Sequence, residues 1–499
     1  MKRLSGLDAS FLYLQTDSCH LHVTGLVVVD PSDTAGGLDR DELAETLATR
    51  LARVPVLQRR LAFTPGGLDH PYWIEAGDYD PRDHIRTTTL SGPDPDGNLQ
   101  SLAAGVASIP LSLDKPLWEL WVIDGLERGR LAFLLKAHHA VMDGSAGVAL
   151  MTAMFDLTPD GSRDAGEARH EPPPAEVAPG PVEMLTRAAL RTPQRLLQTV
   201  ATAAKTARAL PEALVSGLGS ADSDRGPTIP GRAPSTPLNR AITPERSVAL
   251  TTLPLDVVRR ARGDGTATIN DVVLSACAGS LREYLGNRGG IPDGPLVASV
   301  PVAKRDSCAA TDGGNDLSVN FVGLPVDIAD RSERLATVAR DSAAAKSMQQ
   351  AAGSELLGEW AEIAPPGLLS LAARAFSNLR LADLTPPVHN GVVSNVRGPD
   401  FELYSAGARV EAVYPLGPVM DGAALNITVF SYAGRLHIGV VGCRRALPDP
   451  ERIADGIVAE IEALAELRAQ PAATKVRRAR ALPARRPALP QVQRAARAG

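Results

Sequence analysis

Pro172, Pro173, Pro174, Pro179 and Pro181 crowd the end of a stretch that begins at Gly161, among glutamates and alanines. So many missing backbone donors in so polar a setting rule out a packed element, and the stretch reads as a linker. The chain must therefore fold on either side of it, and 499 residues are enough for more than one core. Before the break, His22 to Val29 is a β-branched run, and Arg40 to Val54 places Leu43, Leu47 and Leu51 on one helical face. Leu120 to Ile123 and Leu131 to Ala137 read as strands around the turn Glu127-Arg128-Gly129. After the break, Glu183 to Leu218 has the pattern of basic, amphipathic helices interrupted near Pro193 and Pro211. Strands follow at Ser247–Leu255, Leu296–Val302, Val319–Val326, Gly391–Ser394, Leu425–Tyr432 and Leu436–Cys443, with helices over Thr268–Leu285 and Pro450–Ala469. This predicts an α/β chain: an N-terminal domain over 1–165, a Pro-rich and helical crossover over 166–240, a C-terminal domain over 241–469 and a disordered basic tail over 470–499.

Composition excludes several functions. Aromatic residues make up 4% of the chain and the net charge is -5, which provides neither the stacking platform nor the basic face that nucleic acid requires, so no nucleic-acid partner is expected. Apolar runs all fall short of a membrane span, so any membrane contact would be peripheral. Cys19, Cys277, Cys308 and Cys443 are widely separated, without a disulfide or zinc spacing, which fits a reducing cytoplasm. The segment from Lys475 to Arg497 carries eight basic residues and no acidic one.

Chemistry concentrates in His138-His139-Ala140-Val141-Met142-Asp143-Gly144, where an apolar strand ends and a helix begins. At these residue frequencies the pattern H-H-x-x-x-D-G arises by chance in about one such chain in a thousand. An imidazole at a strand end can accept a proton from a hydroxyl that attacks a thioester, typically a 100- to 10,000-fold effect on rate. His139 is the candidate base and His138 a supporting residue. Asp143 reads as architectural, holding the turn by accepting backbone N–H groups or pairing with an arginine such as Arg305, while Gly144 permits close backbone approach. Metal binding is the rival use of paired histidines, but neighbours on a strand face opposite ways and no third ligand lies nearby, so no metal is expected.

These residues resemble the bacterial wax ester synthase/acyl-CoA:diacylglycerol acyltransferase family, whose signature matches His138 to Gly144. Leu7-Asp8-Ala9-Ser10-Phe11-Leu12, His22-Val23 and Pro116-Leu117-Trp118-Glu119 match its first half. Thr236-Pro237-Leu238-Asn239, Asn270-Asp271-Val272-Val273-Leu274, Pro301-Val302, Gly314-Asn315 and Ser394-Asn395-Val396-Arg397-Gly398-Pro399 follow in the family's order. The resemblance implies two chloramphenicol-acetyltransferase-like domains with a tunnel between them. It implies direct acyl transfer from acyl-CoA to diacylglycerol or a long-chain alcohol, with the second histidine as base and no cofactor, acyl-CoA being a substrate. Two departures, Ala303-Lys304-Arg305 after Pro-Val and Arg397 in place of the usual Pro, bear on donor or acceptor preference.

Asn270 has two readings, substrate binding beside the transfer site or capping of a helix, and Asp271 reads as structural. Asn395 and Gly398 are substrate-binding candidates or parts of a strand-ending loop, and Trp118 reads as a core anchor. Rival functions are a condensation-type acyltransferase acting on carrier-bound groups and a non-catalytic lipid-binding relative. An acceptor that lives in a bilayer implies peripheral contact with the inner membrane face or a lipid droplet, for which the basic tail and the Arg187–Arg208 helices are the candidates toward anionic lipid.

Overall fold

The computed structural model describes residues 1–34, 36–77, 79–142, 144–162, 174–219, 233–303, 317–352 and 356–469. Its strands form two six-stranded sheets and a three-stranded one of Lys2–Arg3, Tyr72–Glu75 and Arg59–Ala62. The first runs Tyr404–Ser405, Ala408–Leu416, His22–Asp30, Leu131–His138, Trp118–Asp124, Ile85–Thr89. The second runs Leu317–Leu324, Leu296–Ala303, Gly391–Arg397, Leu425–Tyr432, Arg435–Cys443, Arg246–Pro254. Pairing is antiparallel except where Ile85–Thr89 joins Trp118–Asp124 and where Gly391–Arg397 joins both its neighbours. The β-branched and apolar runs read from the sequence are these strands, because a strand covered on both faces needs apolar side chains on both.

Ala408–Leu416 departs from the expected division at residue 241. By sequence it belongs to the second half, yet it pairs with His22–Asp30, from Arg409 opposite Asp30 to Leu416 opposite Thr24. Without it the His22–Asp30 strand would present an open edge, the exposed ladder that folds generally cover. The cores are shared as well: one buried cluster holds Ala137, Ala140 and Val141 together with Phe430 and Tyr432, and another joins Leu26, Val28 and Leu134 to Val248 and Val441. The hydroxyl of Tyr414 on the crossing strand meets Thr252 Oγ1 of the second sheet at 2.9 Å, and Thr252 in turn meets His437 Nδ1 at 2.9 Å.

Helix Arg40–Leu51 buries Leu43, Leu47 and Leu51 completely, each contributing about 2 kcal/mol by leaving water. Trp118 is an anchor as expected, 1% exposed, its indole N–H donating to the Leu57 carbonyl at 3.0 Å. Pro193 and Pro211 do not interrupt the crossover helix, which runs unbroken from Pro181 to Gly219. Pro193 lies on the exposed side, where its ring and the missing hydrogen bond face water rather than a packed neighbour. Helices Leu356–Ile363 and Pro366–Asn378, unread in the sequence, pack on Gly6–Tyr13. Gly6 permits this approach: a Cβ there would run into the Glu362 backbone, and the Gly6 N–H donates to Glu362 Oε2 at 2.6 Å.

Candidate active site

Leu131–His138 is buried along its whole length. Lys136 is the one charged residue in it, and its ammonium is satisfied by the Val106 and Ile109 carbonyls, each at 3.0 Å, and by Glu119 at 2.5 Å. The strand ends at the histidines. His138 N–H donates to the Leu117 carbonyl and His139 N–H to the Leu21 carbonyl, both at 3.0 Å. Val141 N–H then closes a turn onto the His138 carbonyl at 2.9 Å, and helix Gly144–Met154 follows. Leu21 takes left-handed backbone, φ 51°, a conformation that costs a leucine energy and here belongs to the residue whose carbonyl receives His139.

The two rings are held differently. Nδ1 of His138 accepts the Ala140 N–H at 3.1 Å, which places the ring proton on Nε2, and Nε2–H donates to Gln15 Oε1 at 3.0 Å. Burial, reinforced by His139, pushes its pKa down to about 3, so His138 stays neutral with both nitrogens engaged. The half-buried His139 stacks on Phe11, centroids 4.0 Å apart and planes at 17°. Burial lowers its pKa to about 4 against the raising influence of its own backbone, leaving a neutral imidazole at physiological pH. His22 sits opposite His138 in the sheet register, the rings meeting edge to face at 5.7 Å, and its pKa is also pushed down by burial.

Asp143 and its suggested partner Arg305 lie outside the described residues. Gly144 opens the helix after the motif. Asn270 stands in the first turn of Ile269–Gly286 and Asn395 on Gly391–Arg397, and the structure brings them together, Asn395 Nδ2 lying 3.5 Å from Asn270 Oδ1. Asp271 is structural: its carboxylate accepts from Thr268 N–H at 2.8 Å while Thr268 Oγ1 accepts from Asp271 N–H, a reciprocal cap that Thr268 and Asp271, not Asn270, provide. Gly398 has a packing reason, since a Cβ would collide with the Phe430 ring and the Ser431 carbonyl. Phe430 belongs to the buried cluster that also contains Ala140 and Val141, so Gly398 leaves room for a ring of the core that the histidine turn shares. Phe11, Gln15, Leu21 and His22 complete the site without a role from the motif; Phe11 and His22 fall inside recognisable sequence blocks, whereas no pattern marks Gln15.

A neutral imidazole on a rigid turn, backed by a second whose tautomer is fixed, suits proton acceptance from a hydroxyl. His138 cannot also serve a metal, because both its nitrogens are in use, and among the described residues no cluster of three or more His, Cys, Asp or Glu is placed to hold one.

The chain matches the wax ester synthase/diacylglycerol acyltransferase catalytic domain over residues 4–273 and the corresponding C-terminal domain over 313–465. A candidate diacylglycerol O-acyltransferase of Mycobacterium tuberculosis is 35% identical over 94% of this chain and 90% of its own length. A second from the same species is 34% identical over 92% and 95%. Among solved structures, the wax ester synthase/diacylglycerol acyltransferase of Marinobacter aquaeolei superposes with a TM-score of 0.64 at 27% identity, covering 93% of this chain and 99% of that one. The first condensation domain of the calcium-dependent antibiotic synthetase, at 20% identity and a TM-score of 0.53 over 95% and 97%, has the same fold.

Proposed function

The chain belongs to the wax ester synthase/diacylglycerol acyltransferase family, and from that premise we propose that it makes triacylglycerol with His139 as the general base. As a member it is an acyl-CoA-dependent O-acyltransferase of triacylglycerol or wax ester synthesis. Diacylglycerol is the acceptor we favour, on the descriptions of its mycobacterial relatives. The observation that carries the residue assignment is the stacked, neutral His139 beside a His138 whose nitrogens are already committed.

In the proposed step the acceptor hydroxyl attacks the thioester carbonyl and gives its proton to His139. The C–O bond forms, the tetrahedral intermediate collapses with cleavage of the C–S bond, and the imidazolium returns the proton to the departing CoA thiolate. An imidazolium is a stronger acid than a thiol, which favours that return. His138 keeps the turn in one geometry, and Asn270, Asn395 and Gly398 are proposed to line the acyl-transfer region from the second sheet. Peripheral contact with a lipid surface supplies the acceptor, and among the described residues no helix is long and apolar enough to cross a membrane.

The test is incubation with palmitoyl-CoA and either diolein or hexadecanol, followed by separation of neutral lipids. Triacylglycerol from the wild type, and at most about a hundredth of that rate from His139→Ala, is the expected result. Ester formation by His139→Ala near the wild-type rate would remove this base from the mechanism.

A further inference from the structure

Helix Pro181–Gly219 is amphipathic in the reverse sense to an ordinary surface helix. Apart from buried Met184 and Ala188 near its start, its inward face is polar: Arg191 and Arg195 both reach the buried carboxylate of Asp69, Thr202 donates to Glu359 Oε2 at 3.1 Å, and Trp360 Nε1–H donates to Thr206 Oγ1 at 3.0 Å. Its outward face is apolar. Val182 and Leu190 are each 77% exposed, Leu197 74%, Val200 71% and Leu196 64%. At 100° per residue these five and Leu185 fall within an arc of about 140°, as wide as the stripe by which helices normally bury themselves in a core. Among the side chains described, the cations expected to draw this helix to anionic lipid are paired: Arg187 with Glu183 at 2.6 Å and Lys205 with Glu359 at 2.6 Å, beside the two arginines on Asp69.

We infer that this outer stripe docks the protein on a neutral lipid surface, by apolar burial rather than by charge. The inference rests on the function proposed above only for the kind of lipid the enzyme must meet. A second copy of the chain is the other occupant an apolar stripe invites. From Val182 to Val200 the stripe is about 27 Å long and offers six apolar side chains, against the roughly 20 to 30 residues that a stable protein interface takes from each partner. An in-plane helix needs only its apolar face to sink into the boundary between head groups and acyl chains. The helix that carries the stripe is linked to the site's surroundings: the Pro65–Gly67 turn touches both this helix and Pro366–Asn378, and the latter packs on Gly6–Tyr13, which carries Phe11 against His139.

The full chain is sedimented with phosphatidylcholine vesicles, with and without phosphatidylserine, at low and high salt. Wild type should bind the uncharged vesicles nearly as well as the anionic ones, with little loss at high salt. Leu196→Glu/Leu197→Glu should weaken that binding by roughly tenfold or more, because a carboxylate on the stripe must stay hydrated. Turnover of detergent-dispersed substrate should stay near that of wild type. Val200→Glu alone, at an exposed site, checks the result should the double variant fold poorly. Equal vesicle binding by wild type and variants, binding that demands phosphatidylserine, or a wild-type dimer that the substitutions dissociate would each overturn the inference. Vesicle binding without any ester formation would count against the proposed function and leave this surface standing.

Discussion

The ring of Phe11 lies face to face with that of His139, 4.0 Å between centroids. The contact couples the opening helix of the chain to the strand-end motif 128 positions further on, and it contributes to the burial that holds the imidazole neutral. Aromatic pairs of this kind are worth about 1 kcal/mol beyond their buried area. Phe11→Ala should therefore lower kcat/KM by roughly tenfold. It should also move the acidic limb of the rate profile upward, toward the ordinary histidine value near 6.5. A variant that loses stability but keeps the wild-type limb would make Phe11 a packing residue only.

His139→Ala should reduce turnover by roughly 100-fold or more while the protein stays folded. His138→Ala should behave in the opposite way. Removing it strands Gln15 Oε1 and the Ala140 N–H, at about 1 to 3 kcal/mol of stability, with a smaller loss of rate. Melting curves and initial rates of the two variants, taken together, separate the roles, and equal rate losses in both would contradict the assignment.

Acid should destabilise the protein well before its carboxylates titrate. Burial holds His138 near 3 and His70, His139 and His437 each near 4, whereas an unfolded histidine takes its proton near 6.5. Between those limits the unfolded chain binds more protons, so stability is complete above about 6.5 and falls as pH drops toward about 4. Thermal melts at pH 7, 6 and 5 should show a steady decline. His437→Gln, which keeps a polar partner for Thr252 and removes one buried imidazole, should shallow the slope. A melting temperature flat across that interval would refute the account.

The longer strands of the first sheet's N-terminal part were legible as apolar, β-branched runs, but their order was not: Leu131–His138 pairs with its sequence neighbour Trp118–Asp124 on one side and with the distant His22–Asp30 on the other. The crossing strand was not legible. Ala408–Leu416 has ordinary alternation, but nothing local says that its edge is His22–Asp30, nearly 400 residues away in the chain. The same distinction holds at the site. His138 and His139 stood out through a rare local pattern, and Asp271 through capping chemistry that depends on Thr268 three residues before it. Gln15 contributes through one hydrogen bond that exists only once the opening helix has docked, and the inward turn of Arg191 and Arg195 depends on where a single buried carboxylate lies.

That carboxylate supports a last prediction. The side chain of Asp69 is wholly buried and faces Arg3 at 3.0 Å, Arg191 at 3.2 Å and Arg195. Burial alone would raise its pKa, yet Arg3 and Arg195 together with the His70 N–H bring it below the usual value, so it is ionised and holds three guanidinium groups on two segments. Asp69→Asn leaves those cations against one another without the charge that joins them, a change that costs about 3 kcal/mol where a buried pair is broken. Because two of the three arginines belong to Pro181–Gly219, the loss should be felt there first. Amide exchange along Arg187–Thr206 should accelerate, and vesicle binding should fall with it, while His139 chemistry on dispersed substrate is affected less. Unchanged exchange in that helix after Asp69→Asn would mean that the clamp does not seat it, and that Met184, Ala188 and Glu359 suffice.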